Sequence, residues 1–180
     1  MLVFLDFEAS SLAKASYPIE VAWIFEDGRS GARLLRPAPG WTDWSSDAER
    51  VHGIPRDRLF AEGADVAAVA HDMVDALTGH QLFASAPSWD GKWLSVLLRT
   101  AGLPRHTLRL GKSDDAFRQA ARDILGDAIS DEEISALVSR VIEETEPPSP
   151  AHRALADARL ELERLRRVRQ AAGDLIGIKA

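Results

Sequence analysis

The chain has 180 residues, 46% of them hydrophobic and 28% charged, which is typical of one soluble globular domain with a substantial core. It has no cysteine and no apolar run near the roughly 20 residues of a membrane span. Its first residues lack a basic flank and a cleavage site, so we expect them to form a strand and not a signal peptide. These features exclude disulfides, thiol catalysis and zinc–thiolate sites, and they predict a cytoplasmic protein. The net charge of -6 argues against a protein that coats long nucleic acid, but not against an enzyme that holds one strand end.

The first eight residues, Met1 to Glu8, predict a buried strand that ends in two carboxylates. Asp6 and Glu8 are two positions apart, so in a strand their side chains point to the same side. Neighbouring buried carboxylates repel each other, and a divalent ion such as Mg²⁺ relieves that repulsion. The alternative is that the strand ends at Asp6 and both acids are solvated.

A hairpin follows the loop of residues 9–16. Residues Tyr17 to Phe25 predict a second strand, and a Glu-Asp-Gly turn leads to a third strand over Ser30 to Arg36. Glu20 interrupts the apolar second strand. It lies either on a solvated outward face or near the metal site.

The next segment contains Trp41 and Trp44 in an irregular stretch. We expect both rings to cover an edge of the core, although stacking against a nucleobase is the alternative. Ser45 or Ser46 is placed to cap a short helix that ends near His52.

The central part of the chain alternates helices and strands. Apolar spacing predicts a helix from Val66 to Leu77, followed by a strand over Gln81 to Ala86. Ser88 is placed to cap the next helix, which runs to Gly102. A weak strand is predicted over Thr107 to Leu110.

The last part of the chain predicts three helices. The first spans Asp114 to Leu125, and the second spans Asp131 to Glu144 behind a capping box that begins at Ser130. Prolines in residues 146–150 require a loop, and the final helix begins close to His152. The arginines of this helix are interpreted as a solvated face: Arg153, Arg159, Arg164, Arg166, Arg167 and Arg169.

This order predicts an α/β fold with a mixed five-stranded sheet. The strand-helix-strand crossings imply parallel pairing, and the early hairpin supplies one antiparallel strand. Helices should cover both faces. Ligands of such sheets gather at the carboxyl ends of strands, which is where Asp6 and Glu8 lie.

Three further residues are candidates for the same site. Asp90 lies in the first turn of a helix, where an aspartate more often interacts with the helix dipole. Asp157 lies five residues after His152, which is about 140° of rotation on a helix. The two side chains can therefore converge only if His152 lies on the preceding loop.

These motifs together resemble the DEDDh, or DnaQ-like, 3′-to-5′ exonucleases, which have a ribonuclease-H-like fold. The resemblance rests on Asp6-Phe-Glu8, Trp89-Asp90 and His152-Arg-Ala-Leu-Ala-Asp157, with Val51-His-Gly-Ile54 as a further segment. It covers nearly the whole chain in the family's order, so residues 1–180 are interpreted as a single exonuclease domain. Two positions depart from the family pattern: Ala9-Ser10-Ser11-Leu12 replaces the usual Thr-Thr-Gly or Ser-Thr-Gly, and Ala86 replaces an asparagine.

The resemblance implies a two-metal hydrolase. Four carboxylates would hold two Mg²⁺ or Mn²⁺ ions, and His152 would accept the proton of the attacking water. Hydrolysis would release nucleoside 5′-monophosphates from a single-stranded 3′ end. The residues that the resemblance places at the ions are Asp6, Glu8, Asp90 and Asp157. Those that it places beside the terminal nucleotide are Ala9, Ser10, Leu12, His52 and Trp89.

Two other functions remain open at this stage. One is a relative with an inactive site that binds nucleic acid or a protein partner, although all five catalytic positions are intact. The other is a structural domain whose acids are ordinary strand and helix ends. The resemblance extends to a homodimer, because small relatives are often dimers. The low basic charge favours short or single-stranded substrates, RNA before DNA, with a shallow salt dependence.

Overall fold

A computed structural model describes residues 1–127, 129–149 and 151–179 of the chain. These residues form five strands and seven helices. The strands are β1 (Leu2–Ala9), β2 (Pro18–Phe25), β3 (Ser30–Leu34), β4 (Gln81–Ala84) and β5 (Leu110–Lys112). The helices are α1 (Ser46–His52), α2 (Arg56–Glu62), α3 (Val66–Leu77), α4 (Pro87–Thr100), α5 (Ser113–Leu125), α6 (Asp131–Thr145) and α7 (Ala154–Lys179).

The strands form one mixed sheet in the order β3-β2-β1-β4-β5. β1 is central, with β2 antiparallel on one side and β4 parallel on the other. β2 also pairs antiparallel with β3, while β4 and β5 are parallel, so β2 runs against the other four strands. The predicted five-stranded sheet with one antiparallel strand is confirmed.

Helices cover both faces of the sheet, as predicted. On one face Val3, Leu5 and Phe7 of β1 pack in a cluster with α3 and α4. On the other face Phe4 packs with α5, α6 and α7. Because side chains alternate along a strand, Asp6 and Glu8 lie on the same face as Phe4, which is the face that α7 covers. The strand period therefore directs both acids towards the last helix.

Several element boundaries differ from the predictions. The predicted cap at Ser88 is wrong: α4 begins with Pro87 in its first turn, and Ala86 precedes it without a side-chain cap. Proline suits this position because its missing N–H has no helical partner there. The fifth strand begins at Leu110, where the predicted strand ended, and the short helix α2 was not predicted at all.

The other capping predictions are confirmed. Ser45 accepts a hydrogen bond from the backbone N–H of Ala48 at the start of α1. The capping box between Ser130 and Glu133 is present at the start of α6. Trp41 stacks on buried Tyr17 with 4.9 Å between ring centroids, as expected for a ring that covers a core edge.

The final helix begins at Ala154, two residues later than predicted, and His152 precedes it. Pro150, which belongs to the predicted proline loop, lies outside the described residues. The interpretation of these arginines as a solvated face is wrong for Arg164, which is buried beside Glu161. Arg153 directly precedes α7, and its side chain is 41% exposed and pairs with Glu20. Among the described residues no helix is long and apolar enough to span a membrane.

Candidate active site

Three carboxylates converge where the centre of the sheet meets the last helix. Asp6 and Glu8 come from β1 and Asp157 from the first turn of α7. One oxygen from each lies within 4.8 Å of the others, and all three side chains are half-buried. The fold therefore brings together Asp6 and Asp157, which are about 150 positions apart in the sequence, because α7 packs on the face of β1 that carries the acids.

Asp90 lies beside this trio, in the first turn of α4. It is only 2% exposed, so it is not a solvated partner of the helix dipole. Its backbone N–H donates to the carbonyl of Ala86 at 3.0 Å, which holds it in the first turn of α4. Asp90 is also the charged residue that acts most strongly on Asp6. The fourth predicted acid thus belongs to the same site.

Burial and mutual repulsion raise the pKa of these carboxyls. Burial raises the pKa of Asp6 well above its usual range, and the charges of Asp90, Glu8 and Asp157 add to the effect. Burial, followed by the charges of Asp157 and Glu20, raises the pKa of Glu8 from 4.5 to about 8. Burial raises the pKa of Asp90 from 3.8 to about 7. Without a cation the ionised site is therefore electrostatically unfavourable.

This donor set fits a divalent metal ion. Carboxylate oxygens are the ligands of hard cations such as Mg²⁺ and Mn²⁺. The three clustered oxygens of Asp6, Glu8 and Asp157 are close enough to share an ion, and Asp90 extends the set on the α4 side. Positive charge here would reverse the repulsion that raises the carboxyl pKa values.

His152 lies on the loop immediately before α7, as its spacing from Asp157 requires. Its backbone has a φ of 48°, which makes it the one residue other than glycine with a positive φ in the described ranges 1–127, 129–149 and 151–179. Burial raises the pKa of Asp157, and the charge of His152 acts in the opposite direction. His152 is therefore near enough to Asp157 for their charges to interact. Left-handed backbone at such a residue is costly and is found often at functional sites.

A cavity of about 380 Å³ opens beside Glu8. Ala9, Leu12 and His52, which were predicted to contact substrate, contribute to its walls. The remaining lining residues come from β1, α1, α4 and the loops that follow β1 and precede α1, and more than half of them are apolar: Phe7, Ser11, Ser45, Asp47, Ala48, Val51 and Trp93. An apolar cleft with a few polar groups is the usual form of a small-ligand site.

His52, which lines this cavity, has one ring nitrogen without a hydrogen-bond partner among the described residues. It is 4% exposed, and its Nδ1 accepts the backbone N–H of Ile54. Burial lowers its pKa, which favours the neutral ring with the proton on Nε2. Nε2 is buried and has no hydrogen-bond partner among the described residues.

Ser10 and Trp89 lie outside the cavity lining. Ser10 is fully buried, and its hydroxyl donates to Asp43 and accepts the backbone N–H of Tyr17. Its hydroxyl therefore shapes the loop after β1. Trp89 is 37% exposed and stacks on Trp93, a cavity-lining residue, at 5.7 Å between ring centroids.

Two further charged residues lie beside the site. Glu20 is 5% exposed and pairs in register with Glu8 across β1 and β2, so of its two predicted positions the one near the carboxylates is correct and the solvated one is wrong. Sequence reasoning missed the other residue. Glu161 is also buried, and its charge acts on both Asp6 and Asp90. It lies four residues after Asp157, so helical spacing places both on one face of α7 and could have identified it.

The chain has the fold of exonuclease I. It superimposes on a zinc-ion-bound complex of Escherichia coli exonuclease I with single-stranded DNA at a TM-score of 0.66 and 19% identity, covering 98% of this chain and 42% of that one. For the complex of the same enzyme with a dA16 oligonucleotide, the TM-score is 0.67 at 20% identity, and the match covers 97% of this chain and 42% of that chain. For exonuclease I from Methylocaldum szegediense, the TM-score is 0.68 at 17% sequence identity, and the match covers 98% of this chain and 42% of that chain. The chain thus spans about two fifths of these proteins, and the predicted ribonuclease-H-like, DnaQ-like resemblance is confirmed at the level of the fold.

Comparison of sequences alone is less informative. No protein family model matches the chain. A protein named probable aldehyde dehydrogenase, from Pseudomonas sp, is 31% identical over 118 residues, which cover 63% of this chain and 24% of that protein. The chain therefore spans about a quarter of that relative.

Proposed function

We propose that residues 1–180 form a metal-dependent 3′-to-5′ exonuclease domain that acts on single-stranded nucleic acid. The main support for this proposal is that carboxylate oxygens of Asp6, Glu8 and Asp157 lie within 4.8 Å of one another, on a fold shared with exonuclease I. Asp90 and His152 complete the set of residues that the sequence predicts. The solved relatives include complexes with single-stranded DNA and a zinc-bound form, which support both the ligand class and the cation.

The four acids would hold two divalent ions, Mg²⁺ or Mn²⁺. Such ions lower the pKa of a water molecule and stabilise the charge that develops on a leaving oxygen. The carboxylates would hold the cations, and the burial of Asp90, which is 2% exposed, restricts its side chain. His152, on the loop beside Asp157, accepts the proton of the attacking water. Attack on the terminal phosphodiester then breaks the bond to the leaving 3′-oxygen and releases a nucleoside 5′-monophosphate.

The cavity beside Glu8 would receive the terminal nucleotide. Its apolar walls suit the faces of a base and a sugar, and the Nε2–H of His52 would donate to an oxygen or ring nitrogen of the substrate. Ala9 and Leu12 form part of the wall, and Leu12 is 69% exposed, so it is accessible to an incoming strand. Trp89 would stack on a base at the rim. We assign Ser10 to the support of the loop after β1 and not to contact with the substrate.

The name of the Pseudomonas relative does not supply a second function. The aligned part covers 24% of that protein, and a thiol nucleophile is excluded because this chain has no cysteine. The homodimer, the cytoplasmic location and the preference for RNA remain predictions.

Digestion of matched RNA and DNA oligonucleotides tests the proposal. Each 20-nucleotide strand carries a 5′ label, with a 3′-phosphorothioate version as a control, and is incubated with Mg²⁺, Mn²⁺ or a chelator. We expect a ladder that shortens from the 3′ end and releases 5′-monophosphates only with metal. Internal cleavage, shortening from the 5′ end, or no cleavage of either the RNA or the DNA oligonucleotide would contradict the proposal.

A further inference from the structure

We propose that the Glu20–Arg153 ion pair positions His152 for proton transfer, an inference that rests on the proposed function. Glu20 lies on β2 and Arg153 directly follows His152 in the chain. The guanidinium donates through Nε to Glu20 Oε2 at 3.0 Å and through Nη2 to Oε1 at 2.6 Å. This is the two-point geometry that restricts an arginine most strongly.

Glu20 also fixes the start of α7. Its Oε2 accepts the backbone N–H of Ala154 at 3.0 Å, so one carboxylate holds both the side chain and the backbone that follow His152. The side chain of Arg153 is 41% exposed, but that of Glu20 is only 6% exposed, so the carboxylate of this pair is shielded from solvent, unlike that of a fully solvated ion pair. Three hydrogen bonds to one buried carboxylate define where the helix begins relative to the sheet.

The backbone conformation of His152 requires support from its surroundings, and the Glu20–Arg153 ion pair supplies it. Its φ of 48° is left-handed, which a side chain with a Cβ rarely adopts without support from its surroundings. The next residue is held by Glu20, and Glu20 lies directly across the sheet register from Glu8. The ion pair therefore fixes the His152 backbone relative to the strand that carries two of the proposed metal ligands.

The other end of the same loop is also anchored. Arg164 on α7 donates to Thr145 Oγ1 at 3.2 Å and pairs with Glu146, the residue after α6. It also donates to buried Glu161 at 2.9 Å. The segment that carries His152 is thus held at both ends by arginines. Arg153 is the one adjacent to the histidine, so its loss should affect the imidazole most directly.

The test compares Arg153→Lys and Glu20→Gln with Arg167→Lys as a matched control. Lysine keeps the charge but cannot bind a carboxylate at two points. Arg167 is an exposed arginine of the same helix that pairs with Glu163 at 2.8 Å. We expect kcat to fall by roughly 10- to 100-fold in the two test variants, with KM within about threefold, because misplacement of a catalytic group by about 1 Å has effects of this size. The control should keep the parent's kcat and KM.

A double-mutant comparison separates positioning from general stability. In a His152→Ala background, Arg153→Lys should lower kcat by less than about threefold, because residues that act as one unit are not additive. An equal loss in both backgrounds, or an unchanged kcat in Arg153→Lys, would overturn the inference.

Hydrogen exchange of the loop provides a readout that does not need activity. Amides of residues 151–157 should exchange at least about 10-fold faster in Arg153→Lys than in Arg167→Lys, since local opening follows the loss of fixed contacts. An inactive parent enzyme would refute the proposed function, and exchange would then decide whether the pair fixes the loop. Unchanged exchange would refute the positioning role even if the parent is an active nuclease.

Discussion

Replacing Glu8 with glutamine should stabilise the metal-free protein at alkaline pH. Burial and neighbouring acids raise the pKa of Glu8 from 4.5 to about 8 in the folded state, so the folded protein resists its ionisation. A pKa raised by folding contributes stability that is fully present below the unfolded value of 4.5 and lost as the pH rises through about 8. The rise from 4.5 to about 8 corresponds to at most about 5 kcal/mol at about 1.4 kcal/mol per pKa unit. Glu8 is half-buried and retains some hydration, so we expect about 1 to 3 kcal/mol at pH 8.5.

Melting curves between pH 5 and pH 8.5 in the presence of a chelator measure this difference. Glu8→Gln should melt several degrees above the parent at pH 8.5, at roughly 2 to 4 °C per kcal/mol, and the gap should close towards pH 5. Glu163→Gln removes an exposed carboxylate of α7 and serves as the control, which should show no stabilisation at pH 8.5. Added Mn²⁺ should stabilise the parent more than Glu8→Gln. A Glu8→Gln protein that is less stable than the parent at pH 8.5 without metal, or a gap that does not change with pH, would refute the reasoning.

Three further predictions concern the base, the cavity and the fold. His152→Ala should lower turnover by about 10² to 10⁴ while Mn²⁺ still raises the melting temperature, as measured by digestion and thermal melts, because the metal ligands are the acids. An unchanged rate would remove His152 from the mechanism. His52→Phe should raise KM more than it lowers kcat in steady-state digestion, since it removes both ring nitrogens, the unpaired Nε2–H and the Nδ1 that accepts the Ile54 N–H, from a residue that lines the cavity; a change in kcat alone would contradict this. Ser130→Ala should cost about 1 kcal/mol in denaturant unfolding by breaking the capping box of α6, without a change in kcat.

Much of the architecture could be predicted because it follows from local patterns. The apolar run from Leu2 to Leu5 specifies a strand buried on both faces, and the turn after Phe25 specifies a hairpin. Helical spacing located α3 correctly from Val66 to Leu77. Rotation along a helix predicted that His152 and Asp157 can converge only if the histidine precedes α7, and it does precede α7.

The parts that could not be predicted depend on tertiary contacts. The partner of Glu20 lies 133 positions away, so neither the burial of Glu20 nor its bond to Arg153 follows from local sequence. Ser88 failed as a cap because Pro87 already occupies the first helical position, and a local capping preference cannot decide between two adjacent starts. Ser10 matched the family's substrate-binding segment, but its hydroxyl is used by Asp43, which the chain brings close only on folding.

The most direct test of the central claim is the response of Asp6→Asn to metal. Asp6 is one of the three acids whose oxygens lie within 4.8 Å, so the variant removes a ligand with little change in shape. Digestion of a 5′-labelled single-stranded oligonucleotide and melting with and without Mn²⁺ are measured on the same preparations. We predict that Asp6→Asn releases no mononucleotides, gains much less stability from Mn²⁺ than the parent does, and without metal is at least as stable as the parent. An active Asp6→Asn protein, or one stabilised by Mn²⁺ as much as the parent, would contradict the account.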